Sequence, residues 1–325
     1  MSITATPLTR TVSRPRSVLA RTSLPIVLIV LIAVFSAIRP GQFPSSTNVA
    51  AIVTQQGIAM LVALAVTVTL AAGEFDMSVG ANVGITAVVG AWAFGHGWPT
   101  PLVIVAALAV AVLVGLLNVL LVVVFGLTSF IATLGVGFLL AGLALMVTGG
   151  TPLYEGITSG FKSVTSTSIL GLPSLAWIIL AVVLVLWYVL EQTPAGRFIR
   201  VTGTGRDAAK LMGISTERYV AAAFLIAAVI AGIGGILLVS NNGAVPPTAG
   251  ASYTLPAYAA AFLGATALRP VRYNILGTVV GVLVLSVGVS GLTMIGAPFW
   301  VPQVFNGIAL LVALLVARSF DKKGQ

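Results

Sequence analysis

The feature that most constrains this chain is the length of its apolar runs. Leu61–Leu70 and Leu102–Val124 contain no charged residue and no period-two alternation of polar and apolar side chains. A strand of a membrane β-barrel alternates its faces. A run that is apolar all round folds instead as a helix surrounded by lipid or by other helices. Composition extends the point to the whole chain. Of 325 residues, 58% are hydrophobic and 7% are charged, with mean hydropathy +1.13. A soluble domain carries roughly 25% charged residues. This chain has no polar skin to present to water, and lipid is the solvent that accepts it. The fold class is therefore all-α, a polytopic membrane protein.

A spanning helix takes about 20 apolar residues. Ten spans are read: Thr22–Ile38, Val49–Ala71, Met77–Phe94, Leu102–Val124, Ser129–Val147, Ser174–Leu190, Tyr219–Ser240, Thr254–Ala267, Tyr273–Thr293 and Pro298–Ala317. Glycine and proline mark most joints, as at Pro40-Gly41, Gly149–Pro152 and Pro246-Pro247. Arg10, Arg14, Arg16 and Arg21 before the first span resemble the start of a signal peptide, but further spans follow, so an uncleaved first helix is expected. With the N-terminus in the cytoplasm, only Arg39 and Lys162 of the sixteen Lys and Arg residues fall outside. This is the positive-inside asymmetry. It accounts for the net charge of +9 without nucleic acid. Both termini are then cytoplasmic. The division is a basic N-terminus 1–21, a membrane region 22–318 and a tail 319–325. Trp98, Trp177, Trp187, Tyr188 and Trp300 lie near span ends, where aromatic belts sit.

Spans two to five and seven to ten form four-helix blocks of opposite direction, the arrangement of an inverted repeat. Two loops exceed simple connectors: an outer loop 149–173, rich in Thr, Ser and Gly, and an inner loop 191–218. Asp207–Met212 is expected to form a short helix along the membrane face, ended by Gly213.

The chemistry available is limited. With no cysteine, disulfides and thiolate metal sites are excluded. His96, the one histidine, has no carboxylate near it in sequence and reads as a solvated loop residue, so no metal site is expected. No lysine follows the glycine that a phosphate-binding loop requires, so the chain does not bind ATP by that route. Clustered catalytic groups are absent, which argues against an enzyme. Glu74 and Asp76 stand between two apolar runs in Gly73-Glu74-Phe75-Asp76-Met77-Ser78. At a membrane edge they form a turn, with Asp76 and Ser78 capping the next helix. Inside the membrane, where a carboxylate costs about 2.5–3.5 kcal/mol, they mark a pathway or gate. Gln55, Gln56, Thr67, Thr69, Asn82, Thr86, Asn118, Thr133, Ser286 and Asn306 are polar residues within spans, and most of them should face the bundle interior. The scarcity of buried charge fits a neutral cargo.

The sequence resembles the permease subunits of bacterial ribose-type ABC importers. Gly73–Gly80, Gly115-Leu116-Leu117-Asn118, Phe130–Gly135 and Leu143–Gly150 carry the likeness. So do Gly196-Arg197 with Ala208-Ala209 and Gly213-Ile214, then Gly232–Leu237, Pro247–Gly250 and Gly277-Thr278. The resemblance implies a non-enzymatic subunit of the inner membrane that imports a monosaccharide or similar polyhydroxylated solute. It implies a dimer with a second copy or a sister permease. It implies a separate ATPase subunit that binds ATP and Mg, and a periplasmic or lipid-anchored solute-binding protein. Gly196, Arg197, Arg200, Gly203, Ala208, Ala209 and Gly213 would belong to the ATPase-coupling surface. Glu74, Asp76, Ser78, Asn118, Phe130 and Thr133 are the candidate pathway or gate. Thr151, Tyr154, Glu155 and Lys162 are candidate contacts for the binding protein. Three places depart from the family pattern: Glu74 in place of a glycine, Thr128-Ser129 in place of paired prolines, and Thr266–Arg272 in place of a glycine-rich segment. A proton- or sodium-coupled secondary transporter is the alternative reading; such a carrier needs no docking loop like Arg197–Arg218.

Overall fold

The computed structural model describes residues 14–266 and 272–321. The basic segment 1–13, Arg269 with the rest of 267–271, and the Lys322-Lys323 end of the tail lie outside the described residues.

The chain opens with α1 (Arg14–Ile38) and α2 (Ser46–Ala71), the latter capped by Ser45, whose Oγ accepts the Asn48 N–H at 3.2 Å. After a non-helical break come α3 (Val79–Gly95), α4 (Thr100–Val119), which a π-helical turn extends to Val124, and α5 (Ser129–Thr148). The outer loop holds α6 (Ser159–Ser166) and a two-stranded hairpin, β1 (Ser168–Ile169) with β2 (Leu172–Pro173). Then follow α7 (Ser174–Trp187), whose π-helical turn runs to Gln192, and two inner-loop helices, α8 (Pro194–Thr204) and α9 (Arg206–Leu211). The chain finishes with α10 (Thr216–Asn242), α11 (Thr254–Thr266), α12 (Ile275–Met294) and α13 (Val301–Asp321).

Six helices among the described residues are long and apolar enough to cross a membrane: α2, α4 with its π turn, α5, α7 with its π turn, α10 and α12. Three shorter apolar segments are Thr22–Ile38, Val79–Gly95 and Val301–Leu315. The expected eighth span, Thr254–Ala267, is the 13-residue α11. At 1.5 Å per residue it covers about 20 Å, less than the roughly 30 Å of a hydrocarbon core. Of the ten expected spans, six fall on helices that are both long and apolar enough for a full crossing among the described residues.

Long helices α2 and α10 pack against each other at the centre. Short α3 packs on α10, α4 and α5, while short α11 packs on α2, α12 and α13. Lipid gives helices no hydrophobic reason to associate, so small residues and polar pairs hold the crossings. At Gly235 of α10 an added methyl would lie 2.7 Å from both the Val83 carbonyl and the Thr86 Cβ of α3. Gly264 of α11 meets Gly277 of α12 backbone to backbone. The buried hydroxyls of Thr67 and Thr278, 2.7 Å apart, join α2 to α12.

The outer loop is fixed to α10. Ser240 Oγ donates to the Phe161 carbonyl at 2.7 Å and lies 2.9 Å from Thr165 Oγ1. Leu153 and Val245 exchange backbone bonds of 3.0 and 2.8 Å.

Candidate coupling and translocation site

The site begins where α2 stops. Gly73 takes φ +82°, the left-handed turn that glycine adopts without strain. Its N–H bonds to the Leu70 carbonyl, and the Glu74 N–H reaches back to the Thr69 carbonyl, each at 3.0 Å. This is a Schellman ending. The chain then runs without helical bonds to Ser78. In a bundle within lipid, every N–H of such a break needs an acceptor.

Three acceptors come from other helices. Ser129 Oγ of α5 accepts the Phe75 N–H at 3.2 Å. Tyr258 Oη of α11 accepts the Asp76 N–H at 2.9 Å. Thr133 Oγ1 of α5 accepts the Met77 N–H at 2.9 Å and donates to the Ser129 carbonyl at 2.7 Å. The sixth N–H, that of Ser78, goes to Asp76 Oδ1 at 3.0 Å. The same oxygen accepts from Ser78 Oγ at 2.6 Å and from Asn118 Nδ2 of α4 at 3.4 Å. Asn118 Nδ2 also donates to Ser78 Oγ at 2.8 Å. Phe75 stacks on Tyr258 at 6.0 Å and meets Phe130 edge-on at 6.3 Å.

All six candidate pathway residues therefore gather on one break. Glu74, Asp76, Ser78, Asn118 and Thr133 are buried there, while Phe130 remains exposed on its flank. Tyr258 and Ser129 complete the arrangement and were not singled out from sequence as its partners. Their signal is weak: a tyrosine and a serine in spans, far from the break in sequence.

The inner loop reaches the same break from the other side. Thr193 Oγ1 accepts the Gly196 N–H at 3.3 Å and Pro194 fills the first turn, so Thr-Pro starts α8. This helix was not expected; its cap signal was present in the sequence. Gly196 packs tightly on the Leu190 backbone, and Gly203 near the far end of α8 lies against Ala71–Gly73. Arg206, opening α9, forms an ion pair with Glu74. Helix α9 sits within one residue of the expected Asp207–Met212, and Gly213 follows with φ +78°. Ala209 is fully buried while Ala208 faces out. Arg197 and Arg200 line a cleft of about 500 Å³ with Leu70, Arg272 and Tyr273, and Arg200 pairs with Glu191 at 3.2 Å. Of the coupling candidates, Arg197, Arg200 and Gly203 thus lie around the end of α2.

At the far end of α3 from the break, Thr151, Tyr154 and Glu155 line one cleft. Lys162 sits instead on α6, its side chain along Gly243.

A bundle of apolar helices around a break whose N–H groups are all hydrogen-bonded, with a basic loop packed on that break, defines a multi-pass α-helical membrane protein. The family model for the permease component of branched-chain amino acid transport systems matches residues 48–314, and the chain belongs to that family. It is 30% identical over 301 residues to the ribose import permease protein of Haemophilus influenzae, covering 92% of this chain and 93% of that one. It is 31% identical over 303 residues to the ribose import permease protein of Escherichia coli, with 92% and 93% covered. It is also 32% identical over 309 residues to the autoinducer 2 import system permease protein of E. coli, with 93% of each covered. No solved structure matches the chain.

Proposed function

We propose that this chain is the membrane-spanning permease subunit of an ATP-binding-cassette importer in a bacterial inner membrane. Its cargo is a monosaccharide or similar small polyhydroxylated solute, in keeping with relatives named for ribose and autoinducer 2 import. ATP and Mg are bound by a separate ATPase subunit. A periplasmic or lipid-anchored binding protein delivers the solute, and a second copy or a sister permease completes the dimer.

The observation that carries this reading is the contact between the inner loop and the α2–α3 break. Gly203 touches Ala71–Gly73, and Arg206 holds Glu74. A force applied to α8 and α9 by an ATPase is therefore transmitted to a break that α4, α5 and α11 also hold. Arg197, Arg200, Gly196, Ala208, Ala209 and Gly213 form the docking face in this reading. Glu74, Asp76, Ser78, Asn118, Phe130 and Thr133 form the gate it moves. Thr151, Tyr154, Glu155 and Lys162 face the binding protein.

The inverted-repeat reading has support in the packing. Exchanging α2 with α10, α3 with α11, α4 with α12 and α5 with α13 turns each principal helix contact into another: α3 on α10 becomes α11 on α2, and α3 on α5 becomes α11 on α13. Each block also runs long helix, break, short helix, then two more helices.

The test is reconstitution in proteoliposomes with the ATPase and the binding protein. Uptake of labelled pentose or hexose should need both partners and ATP. Uptake by this chain alone, driven by a proton or sodium gradient, would establish the secondary-transporter reading instead.

A further inference from the structure

Two cavities lie along one face of α3. Ala81, Ile85, Trp92 and His96 follow the spacing of four, seven and four residues that places side chains on a single helical face. The lower cavity, the α3 groove of about 220 Å³, lies between Met77, Ala81 and Ile85, Phe138 and Ala141 of α5, and Pro247 and Thr248 of the segment after α10. Met77 belongs to the α2–α3 break. At the upper end of the same face, Trp92 and His96 wall a second, wider cleft of about 470 Å³, closed opposite by Thr151, Tyr154 and Glu155. That volume falls in the range of small-molecule sites.

The upper cleft has the chemistry of a polyol site. Trp92 and Tyr154 are 37% and 64% exposed and offer aromatic faces to the apolar C–H side of a sugar ring. Glu155 supplies a carboxylate to accept from hydroxyls, and Thr151 a hydroxyl that both donates and accepts. The His96 ring stacks on Trp92 at 4.0 Å, and its Nδ1 donates to the Trp92 carbonyl at 2.8 Å. In the neutral ring this leaves Nε2 as an acceptor. Trp98 meets Trp92 at 6.1 Å, edge to face. An aromatic belt would orient such rings separately toward lipid; here they gather around one carboxylate and one imidazole.

The walls are held in place before any solute arrives. The Leu153–Val245 bridge fixes one side of the cleft to the chain leaving α10. Gly156, at φ +70°, lies against the Phe94 carbonyl so closely that no Cβ fits.

We propose that this cleft is an outer subsite of the permease, where a small polyhydroxylated solute rests above the α3 groove before moving toward the break. The proposal rests on the sugar-importer reading and adds a solute contact in this chain itself, independent of the binding protein.

The experiment uses the purified permease in nanodiscs, without binding protein or ATPase. Tryptophan fluorescence is followed while D-ribose, D-xylose, D-galactose or myo-inositol is titrated, with 1,4-dioxane as an uncharged ring lacking hydroxyls. A saturable response to at least one polyol and none to dioxane is expected. Glu155→Gln keeps an acceptor oxygen but removes its charge and should weaken binding about tenfold, the difference between a charged and a neutral hydrogen bond. Tyr154→Leu, at an exposed position, should weaken it as well, and Trp92→Leu should remove most of the signal. No response in the wild-type permease, alongside normal sugar uptake by the complete reconstituted system, overturns the subsite and leaves the importer reading standing. Equal binding by wild type, Glu155→Gln and Tyr154→Leu also overturns it, because the solute then binds elsewhere. Failure of the complete system to take up any sugar counts against the importer reading itself.

Discussion

Alanine at Gly203 tests the link between the inner loop and the break. The added methyl would press into the Ala71 carbonyl and come within 2.8 Å of the Gly73 nitrogen and 2.9 Å of the Ala72 carbonyl carbon. These are backbone atoms, and the Schellman bonds at Leu70 and Thr69 hold them. They cannot yield as a side chain would. Ordinary carbon contact needs about 3.5–4.0 Å, so α8 must withdraw by something near 1 Å. Overpacking of this kind costs about 1–3 kcal/mol, and here the strain falls on the contact proposed to transmit movement. Gly205→Ala is the matched control. Its backbone is extended at φ −172° and the nearest atom to a new Cβ, on Ala208, is 3.7 Å away. The assay is solute uptake per ATP hydrolysed in proteoliposomes, with assembly checked by size-exclusion chromatography. Gly203→Ala should assemble, hydrolyse ATP and lose at least several-fold in uptake per ATP, whereas Gly205→Ala should match the wild type. Wild-type uptake per ATP in Gly203→Ala would refute the claim that this contact carries the coupling.

Three further outcomes are expected. A double-mutant cycle with Glu74→Gln and Arg206→Ala should give a coupling energy no larger than about 1 kcal/mol in denaturant unfolding, because the Arg206 side chain is 47% exposed and solvent screens the pair; several kcal/mol would mean that the pair is dry. Asp76→Ala leaves the Ser78 N–H and hydroxyl without their acceptor and should cost about 1–3 kcal/mol. Asp76→Asn keeps an acceptor oxygen and should hold most of that stability while lowering uptake; unchanged uptake would leave Asp76 as a helix cap and nothing more. Thr67→Val removes the buried hydroxyl contact to Thr278 and should lower stability by about 1 kcal/mol in a thermal-shift measurement, and a neutral result would show that the pair contributes nothing net.

The long helices were legible because hydropathy alone decides them. Lipid rewards any apolar run of sufficient length, and α2, α5, α10 and α12 end within a few residues of where their apolar runs end. Helices α6 and α8 were not, because both are short and their polar residues mask the pattern; only the Thr158 and Thr193 caps announce them. The break shows the same limit at the level of single residues. Gly73 and Asp76 signal locally that α2 ends and α3 begins. Which side chains satisfy the intervening N–H groups is a property of packing, since Ser129 and Tyr258 lie 54 and 182 residues from the groups they serve. The second break, between α10 and α11, solves the same problem differently. There the Ala249, Ala251 and Tyr253 N–H groups bond within turns to Pro246, Thr248 and Gly250, and Val245 bonds to Leu153 in the outer loop. Backbone inside a bundle needs acceptors, and the second break supplies several of them from its own turns. A break satisfied by its own turns needs little from its neighbours. The α2–α3 break is held by α4, α5 and α11 at once, so displacing it disturbs three helices.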